Sequence, residues 1–261
     1  MALITLTTDF GTSDFYVSAI KGAILSQLPD IQIIDISHDV PKFDIATAAF
    51  MLRNTTPNFP ANSIHIIGVL PNLDEDTVHL AVKFEDQYYI GADNGIFSLL
   101  FDRRPQEMVE LQLNQNTDLL TFPTREVFVQ AACHLGRGGT LSVLGPPKEN
   151  WKERTQFRAV VDNDTIRGTV IYVDSYGNVI SNISRQLFRQ VGKGRDFTIS
   201  FRVPGYDIHH ISNRYDDVVA SERLALFGAS GFLEIAINIG HANKLLGLKI
   251  NDIIRIEFHG N

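Results

Sequence analysis

The first 145 residues alternate short β-rich runs with longer amphipathic segments, and this alternation is the strongest constraint on the fold. Residues 4–8 have the pattern of a strand, residues 16–27 that of a helix ending before Pro29, and residues 31–36 that of the next strand. Strands and helices in this order are typical of an α/β layer. We therefore predict an α/β N-terminal domain with a mainly parallel sheet.

The rest of this half continues the same pattern. Asp44 is a plausible N-cap for the next helix, and Glu85 with Asp86 forms a polar turn between two strand-like runs. The further predicted elements are a helix over residues 45–53, a central strand over 63–70, a strand pair over 77–84 and 87–91, and a last helix over 125–136.

A stretch rich in Gly and Pro over residues 138–147 divides the chain, so we place the domain boundary there: 1–147 and 148–261. After it, short apolar runs are separated by turn residues, which predicts an all-β C-terminal domain, a small antiparallel barrel or sandwich. The predicted strands are residues 169–173, 179–183, 196–203, 224–227, 233–237 and 253–258.

The charge and cysteine content exclude several classes of partner. A net charge of -7 without a concentrated basic face disfavours nucleic acids and anionic membranes. No apolar run has the length of a membrane helix, and the N-terminus has the pattern of a strand rather than a signal peptide, so we expect a cytoplasmic protein. The single Cys133 allows neither an internal disulfide nor a zinc cluster, and we expect no metal site. A small-molecule ligand is the favoured partner.

The first polar segment, residues 7–14, follows the first predicted strand directly. Ligands of α/β sheets bind at the carboxyl ends of the strands, where Asp9 can accept both hydroxyls of a ribose and Asp14 can hold an ammonium group. Alternatively, Ser13 or Asp14 caps the following helix. The chain has no glycine-rich phosphate loop, which argues against a dinucleotide.

The second polar segment, residues 174–182, lies between two apolar strands. Its Asp, Gly and Asn residues are turn formers, so a plain hairpin turn is one interpretation. The other is a nucleobase site, because Tyr176 can stack on a purine and Asn178, two residues later, can hydrogen-bond its edge.

The third segment, residues 226–238, contains the small residues 228–231. Small residues let a ligand carboxylate approach backbone N–H groups closely. A tight connection between two strands explains the same residues equally well.

These three segments, with residues 36–44, 91–95 and 125–128, resemble the signature segments of the S-adenosylmethionine hydroxide adenosyltransferase family. Relatives of that family, the fluorinase and chlorinase, attack the ribose C5′ carbon of the same substrate. Six segments in the same order over nearly the full length make the resemblance specific.

The resemblance implies an α/β N-terminal domain, a C-terminal β-barrel domain and a homotrimer with the ligand between one subunit's N-domain and its neighbour's C-domain. S-adenosylmethionine is then a substrate or ligand, and no cofactor is expected. The implied ligand-binding residues are Asp9 for the ribose hydroxyls, Phe43 for the sugar and sulfonium region, Asp14 and Asp174 for the ammonium, Tyr176 and Asn178 for the adenine, and Ala229 and Ser230 for the carboxylate.

The chain departs from the family at the catalytic positions. Hydrolases of the family resemble one another in an Asp, an Arg seven residues later and a His further on, which position and polarise the attacking water. Leu70, Thr77 and Pro123 stand at those places here. Residues 74–76, Asp-Glu-Asp, could supply a carboxylate, although a solvated acidic loop is the simpler interpretation.

Phe122 and Thr124 flank the place of the missing His, and the halide-using relatives carry an aromatic and a small or hydroxyl residue there. The catalytic residues therefore stay unknown, with Leu70, Thr77, Phe122, Pro123 and Thr124 as the candidate pocket. Two functions remain open. One is an adenosyltransferase that uses water or another nucleophile and releases methionine, and the other is a catalytically inactive S-adenosylmethionine or adenosine binder.

Overall fold

The computed structural model describes residues 2–72, 77–112, 121–155, 158–202 and 205–260. Its contacts divide the chain into two compact units, Met1–Thr155 and Gln156–Asn261. Residues 148–155, on the second side of the predicted boundary, belong to the first unit. Within that unit the Trp151 ring lies 5.9 Å from the Phe101 ring.

The first unit contains a six-stranded sheet flanked by helices. The strand order is β2-β1-β3-β5-β4-β6, with parallel pairing from β2 to β5 and antiparallel pairing at β4 and β6. The elements are β1 Leu3–Thr8, α1 Tyr16–Leu25, β2 Gln32–Ser37, α2 Ile45–Thr55, β3 Ile64–Gly68, β4 His79–Phe84, β5 Gln87–Ala92, α3 Ile96–Leu100, β6 Glu107–Glu110, α4 Val129–Gly136 and α5 Leu141–Leu144. The predicted α/β domain with a mainly parallel sheet is confirmed.

Both faces of this sheet are covered, which explains why its central strands are almost continuously apolar. Ile4 and Ile66 pack with α1 and α4 on one face, and Ile67 packs with α2 and α3 on the other. Asp44 caps α2 as predicted: its carboxylate accepts the N–H groups of residues 46 and 47, both at 3.0 Å.

The second unit is a curled, all-antiparallel sheet, so the predicted all-β second half is confirmed in this coarser form. Ile208 pairs with β10 and Ile211 with β11, so one short segment contacts both ends of the main strand order, β10-β13-β8-β9-β12-β11. The elements are β7 Val160–Asp162, β8 Thr165–Val173, β9 Val179–Ser184, α6 Arg185–Gly192, β10 Asp196–Phe201, β11 Arg223–Phe227, β12 Phe232–Ile237, α7 Ala242–Leu245 and β13 Ile253–His259.

Within the described ranges, no helix combines the length and the apolar character needed to cross a membrane.

Candidate functional site

Asp9 lies directly after β1, at the carboxyl end of a central strand, and only 4% of it is exposed. Its Oδ2 accepts the backbone N–H of Phe43 at 2.8 Å, and the Lys42 ammonium donates to its backbone carbonyl. An ionised carboxylate has about four lone-pair positions, so Asp9 can accept further hydrogen bonds from a ligand. The geometry fits the predicted role in holding two hydroxyls.

Phe43 has a backbone φ of +66°, in the left-handed region that bulky residues avoid. Such a conformation costs about 1–3 kcal/mol, and it persists because the residue is fixed on both sides. Its N–H is held by Asp9, and the next residue, Asp44, caps α2. The strained backbone leaves the Phe43 ring 66% exposed, available to cover a ligand.

Asp14 is exposed in the loop before α1. The N-cap of α1 is Phe15, and no side chain caps this helix. The alternative that Ser13 or Asp14 serves as the cap is therefore wrong. Asp14 remains free of that structural role.

Aromatic rings gather beside this loop. The Phe10 ring lies 5.8 Å from the rings of Tyr16 and Phe122, and the Tyr16 and Phe122 rings meet edge to face at 5.3 Å. The Arg125 guanidinium lies over Phe122 at 5.5 Å. Phe122, predicted as a pocket residue, is thus part of a rigid aromatic wall after β1.

Thr124 lies at the carboxyl ends of β1 and β3. A Cβ added to Gly68, the last residue of β3, would stand 3.0 Å from Thr124 Oγ1 and 3.1 Å from the Thr8 methyl group. Thr124 is fully buried, and within the described residues its hydroxyl has no hydrogen-bond partner. It opens a π-helical turn, Thr124–Phe128, a feature frequent at functional sites. No hydrogen bond among the described residues accounts for this hydroxyl.

Leu70, Thr77 and Pro123, the residues that the family resemblance puts at the catalytic positions, carry no general base. Leu70 and Pro123 carry no titratable group, and Leu70 has a strained φ of +46°. Thr77 is buried and its Oγ1 accepts a hydrogen bond from the Lys152 ammonium at 3.1 Å. The acidic residues 74–76 lie outside the described residues.

Lys152 and Asp93 are charged residues near Thr77 that the sequence did not single out. The Lys152 N–H donates to Asp93 Oδ1 at 2.8 Å, and burial raises the pKa of this carboxyl above its usual value. Asn94 donates to the carbonyl of Leu70 at 2.9 Å and so fixes its strained backbone. The sequence pointed to Asp93 and Asn94 only through residues 91–95, one of the segments that resemble the family's signature segments.

In the second unit, Asp174 and Asn178 form one hydrogen-bonded structure. The Asn178 backbone N–H and side-chain Nδ2 donate to the two Asp174 carboxylate oxygens at 2.8 and 3.0 Å. This orients the Asn178 amide with Oδ1 as the acceptor, suited to an amino group on a purine. The segment forms the hairpin turn between β8 and β9, and Tyr176 at its tip is 75% exposed. The hairpin turn is confirmed, and the nucleobase site stays a prediction.

The third segment forms the tight turn between β11 and β12, in which the Gly231 N–H donates to the Gly228 carbonyl at 3.0 Å. Ala229 is exposed and Ser230 half-buried. The turn borders a cavity of about 640 Å³. Its lining residues are Asn213, Arg214, Tyr215, Asp216, Leu226, Phe227, Gly228, Ala229 and Asn238.

Behind this cavity, Glu234 and Tyr215 form a hydrogen-bonded pair. Neither residue was identified from the sequence. The Tyr215 hydroxyl donates to Glu234 Oε1 at 2.7 Å, and Glu234 is 6% exposed. Burial raises the pKa of Glu234, opposed by the Tyr215 hydrogen bond and supported by the nearby Asp174 charge. The sequence feature that could have identified the pair is Glu234 itself, an acidic residue in the middle of the otherwise apolar strand β12.

Comparison with known proteins shows similarity along both units. Two family models match: the SAM hydroxide adenosyltransferase N-terminal domain over residues 4–145 and the C-terminal domain over residues 168–255. The chain is 27% identical to the (R)-S-adenosyl-L-methionine hydrolase of Methanocaldococcus jannaschii, over 98% of this chain and 96% of that protein. It is 30% identical to the protein of the same name from Salinispora tropica, over 97% of each. An uncharacterized conserved protein from Thermotoga maritima has a similar crystal structure, with a TM-score of 0.89 at 27% identity, covering 97% of this chain and 99% of that one.

Proposed function

Because the chain belongs to the S-adenosylmethionine hydroxide adenosyltransferase family, we propose that it binds (R)-S-adenosylmethionine and transfers the adenosyl group to water, releasing adenosine and methionine. The observation that carries this proposal is the match of both units to the two domains of one family. Relatives named as hydrolases of the (R) epimer, aligned over almost the whole chain, support the substrate and its sulfonium configuration.

The binding roles follow the described geometry. Asp9, with its carboxylate fixed by the Phe43 N–H, holds the ribose hydroxyls, and the exposed Phe43 ring covers the sugar and sulfonium region. Asn178 Oδ1 accepts from the adenine amino group while the Tyr176 ring stacks on the base. The remaining predicted contacts are those of Asp14 and Asp174 with the ammonium and of Ala229 and Ser230 with the carboxylate.

The reaction is an in-line displacement. A water oxygen bonds to C5′, the electrons of the C5′–S bond pass to sulfur, and methionine leaves as a neutral thioether while a water proton goes to solvent. A sulfonium is already a good leaving group, so orientation and exclusion of bulk water carry most of the acceleration. The unpaired Thr124 hydroxyl orients the attacking water.

The absence of a base at Leu70 and Pro123 sets an expectation for the rate. General-base catalysis contributes about 10²- to 10⁴-fold, so we expect turnover slower by this order than in relatives that retain the Asp, Arg and His.

For the assembly we propose a homotrimer, with each ligand contacted by the first unit of one subunit and the second unit of its neighbour, and the curled sheet as the family's barrel domain. The family resemblance supports this arrangement, and cyclic symmetry produces three identical sites.

The test is incubation with each sulfonium epimer of S-adenosylmethionine in ¹⁸O-labelled water, followed by chromatography and mass spectrometry of adenosine and methionine. We expect labelled adenosine and an equal amount of methionine from the (R) epimer, and loss of product in Asp9→Asn. Asp39→Asn changes an exposed carboxylate and serves as the matched control. Failure of both epimers to yield adenosine would overturn the hydrolase proposal.

A second candidate is a binder without catalysis. It rests only on the sequence prediction that Leu70 and Pro123 stand at the catalytic positions, and the relatives named as hydrolases do not favour it. Calorimetry separates the two. Saturable binding of S-adenosylmethionine without product, in water or with halides, would establish the binder, whereas turnover rejects it.

A further inference from the structure

Glu234 occupies a position in β12 where an apolar side chain is expected. Its strand neighbours are Leu226 on β11 and Ile180 on β9. Side chains alternate along a strand, so Leu233 and Ile235 point into the core of the second unit and Glu234 points to the opposite face. There it is buried among apolar neighbours, which is costly for a carboxylate without a cation.

The groups around Glu234 do not supply that cation. Its Oε1 accepts the Tyr215 hydroxyl, and Asp174 is the charged group near enough to act on it. Within the described residues no Lys, Arg or His forms an ion pair with Glu234. At the cavity rim, Arg214 is already paired with Asp216 at 3.2 Å.

Glu234 lies next to a residue that lines the cavity. A Cβ added to Gly228 would stand 2.6 Å from Glu234 Oε2, so a side chain at this position would crowd the carboxylate. Gly228 and Tyr215 both line the cavity. The carboxylate therefore lies directly behind two residues of the cavity wall, Gly228 and Tyr215.

We infer that Glu234 joins Asp14 and Asp174 in receiving the ammonium group of the amino-acid part of the ligand, with the ammonium entering past Gly228 and with Tyr215 as the residue that positions Glu234. This inference rests on the proposed function and adds to it a binding residue that the family resemblance did not supply. A ligand ammonium at this place explains why, in the described part of the chain, no Lys, Arg or His forms an ion pair with Glu234 or Asp174.

Binding is then coupled to a proton. Burial and the Asp174 charge raise the pKa of Glu234, and burial together with the Glu234 hydrogen bond also raises the pKa of Tyr215, so the hydroxyl stays protonated as donor. An incoming ammonium favours ionised Glu234. As the pH falls through the raised pKa, Glu234 must release a proton to bind the ligand, and affinity for S-adenosylmethionine declines.

The test is calorimetric titration of Glu234→Gln with S-adenosylmethionine and, separately, with adenosine, which lacks the ammonium. Gln keeps an acceptor for Tyr215, so the variant should fold. A charge-assisted hydrogen bond is worth about tenfold or more in affinity, so we expect at least that loss for S-adenosylmethionine and less than about a twofold change for adenosine. Glu222→Gln, an exposed carboxylate on the neighbouring turn, is the matched control and should bind both normally.

Two further variants separate this role from a structural one. Gly228→Ala places a methyl group over Glu234 Oε2 and should lower S-adenosylmethionine affinity with little effect on adenosine. Tyr215→Phe removes the hydrogen bond that stabilises ionised Glu234, so the loss of affinity on acidification should begin at higher pH. A merely structural pair predicts altered stability and an unchanged pH profile.

Wild-type binding of S-adenosylmethionine together with normal binding by Glu234→Gln and Gly228→Ala would overturn this inference alone. Equal losses for S-adenosylmethionine and adenosine would also overturn it, because they indicate a general disturbance. If the wild type binds neither ligand, the proposed function fails and this inference fails with it.

Discussion

At the residue scale, the first unit concentrates unfavourable features where β1 and β3 end. Phe43 and Leu70 have left-handed backbones, and the Thr124 hydroxyl is buried with no hydrogen-bond partner among the described residues. Each of these features lowers stability. Destabilising features of this kind persist where they contribute to binding or catalysis. All three belong to residues predicted for the ligand pocket.

Replacing Thr124 with Val tests this interpretation directly. Val is close in shape and removes the unpaired hydroxyl, so we expect the free energy of unfolding to rise by about 1 kcal/mol. Loss of one positioned donor should lower turnover by about 10²-fold. Denaturant titration measures the first effect and adenosine release the second.

The matched control is Thr7→Val. The Thr7 hydroxyl is also buried with no hydrogen-bond partner in the described ranges, but Thr7 lies one position earlier on β1 than Thr8 and therefore on the other face. The Thr7→Val substitution should raise the free energy of unfolding by a similar amount and leave turnover unchanged. Equal loss of turnover in both variants, or normal turnover in Thr124→Val, would refute the role of Thr124.

The positions of site residues were predictable from the sequence where their neighbours in the chain determine them. Asp9 after a strand and Asp44 before a helix follow from their neighbours in the chain. The burial of Thr124 depends on Gly68, far away in sequence, and the place of Glu234 behind the cavity wall depends on the missing side chain of Gly228. Such three-dimensional neighbours leave no periodic signal in the sequence.

At the element scale, a buried polar network joins β1, β3 and β5. His65 Nδ1 lies 2.7 Å from Thr5 Oγ1 and its Nε2 lies 3.2 Å from Gln87 Oε1, while Gln87 donates to the Phe59 carbonyl at 2.7 Å. Burial lowers the pKa of His65 from 6.5 to about 4. The network stabilises the sheet in a way that depends on a neutral imidazole.

The pH dependence of stability follows. Between pH 6.5 and about 4 the unfolded chain binds a proton at His65 that the folded protein refuses, so the stabilisation is full above pH 6.5 and is lost as the pH falls toward 4. The free energy of unfolding decreases by about 3 kcal/mol over this pH range. Denaturant titrations across this range should show a shallower decline in His65→Gln. The exposed His210→Gln should follow the wild type, and identical slopes in all three proteins would contradict the assignment.

The elements themselves were largely predictable, and the exceptions have physical causes. Strands such as β3 and β12 are short, apolar and bounded by turn residues, so periodicity and turn chemistry found them. The helix predicted over residues 125–136 begins instead as the π-helical turn Thr124–Phe128. A π-helical turn depends on how the backbone is packed, and apolar spacing carries no sign of it.

At the scale of the whole molecule, the predicted ligand contacts are divided between the two units. Asp9 and Phe43 belong to the first, and Asp174, Asn178 and Ser230 to the second. Neither unit alone contains all of the residues predicted to contact the ligand. If each site is shared between two subunits, as proposed for the trimer, trimers that mix two variants should behave differently from trimers in which each chain builds its own site.

Two inactive variants should restore activity when their subunits exchange. In trimers formed from equal amounts of Asp9→Asn and Asn178→Ala chains, a site pairing an intact first unit with an intact second unit arises at about one interface in four. We expect about a quarter of wild-type turnover after exchange, with exchange verified by mass spectrometry of chains carrying different tags. Chains carrying both substitutions, mixed with either single variant, should restore nothing. Absence of recovered turnover in verified mixed trimers would show that each site is built by a single chain.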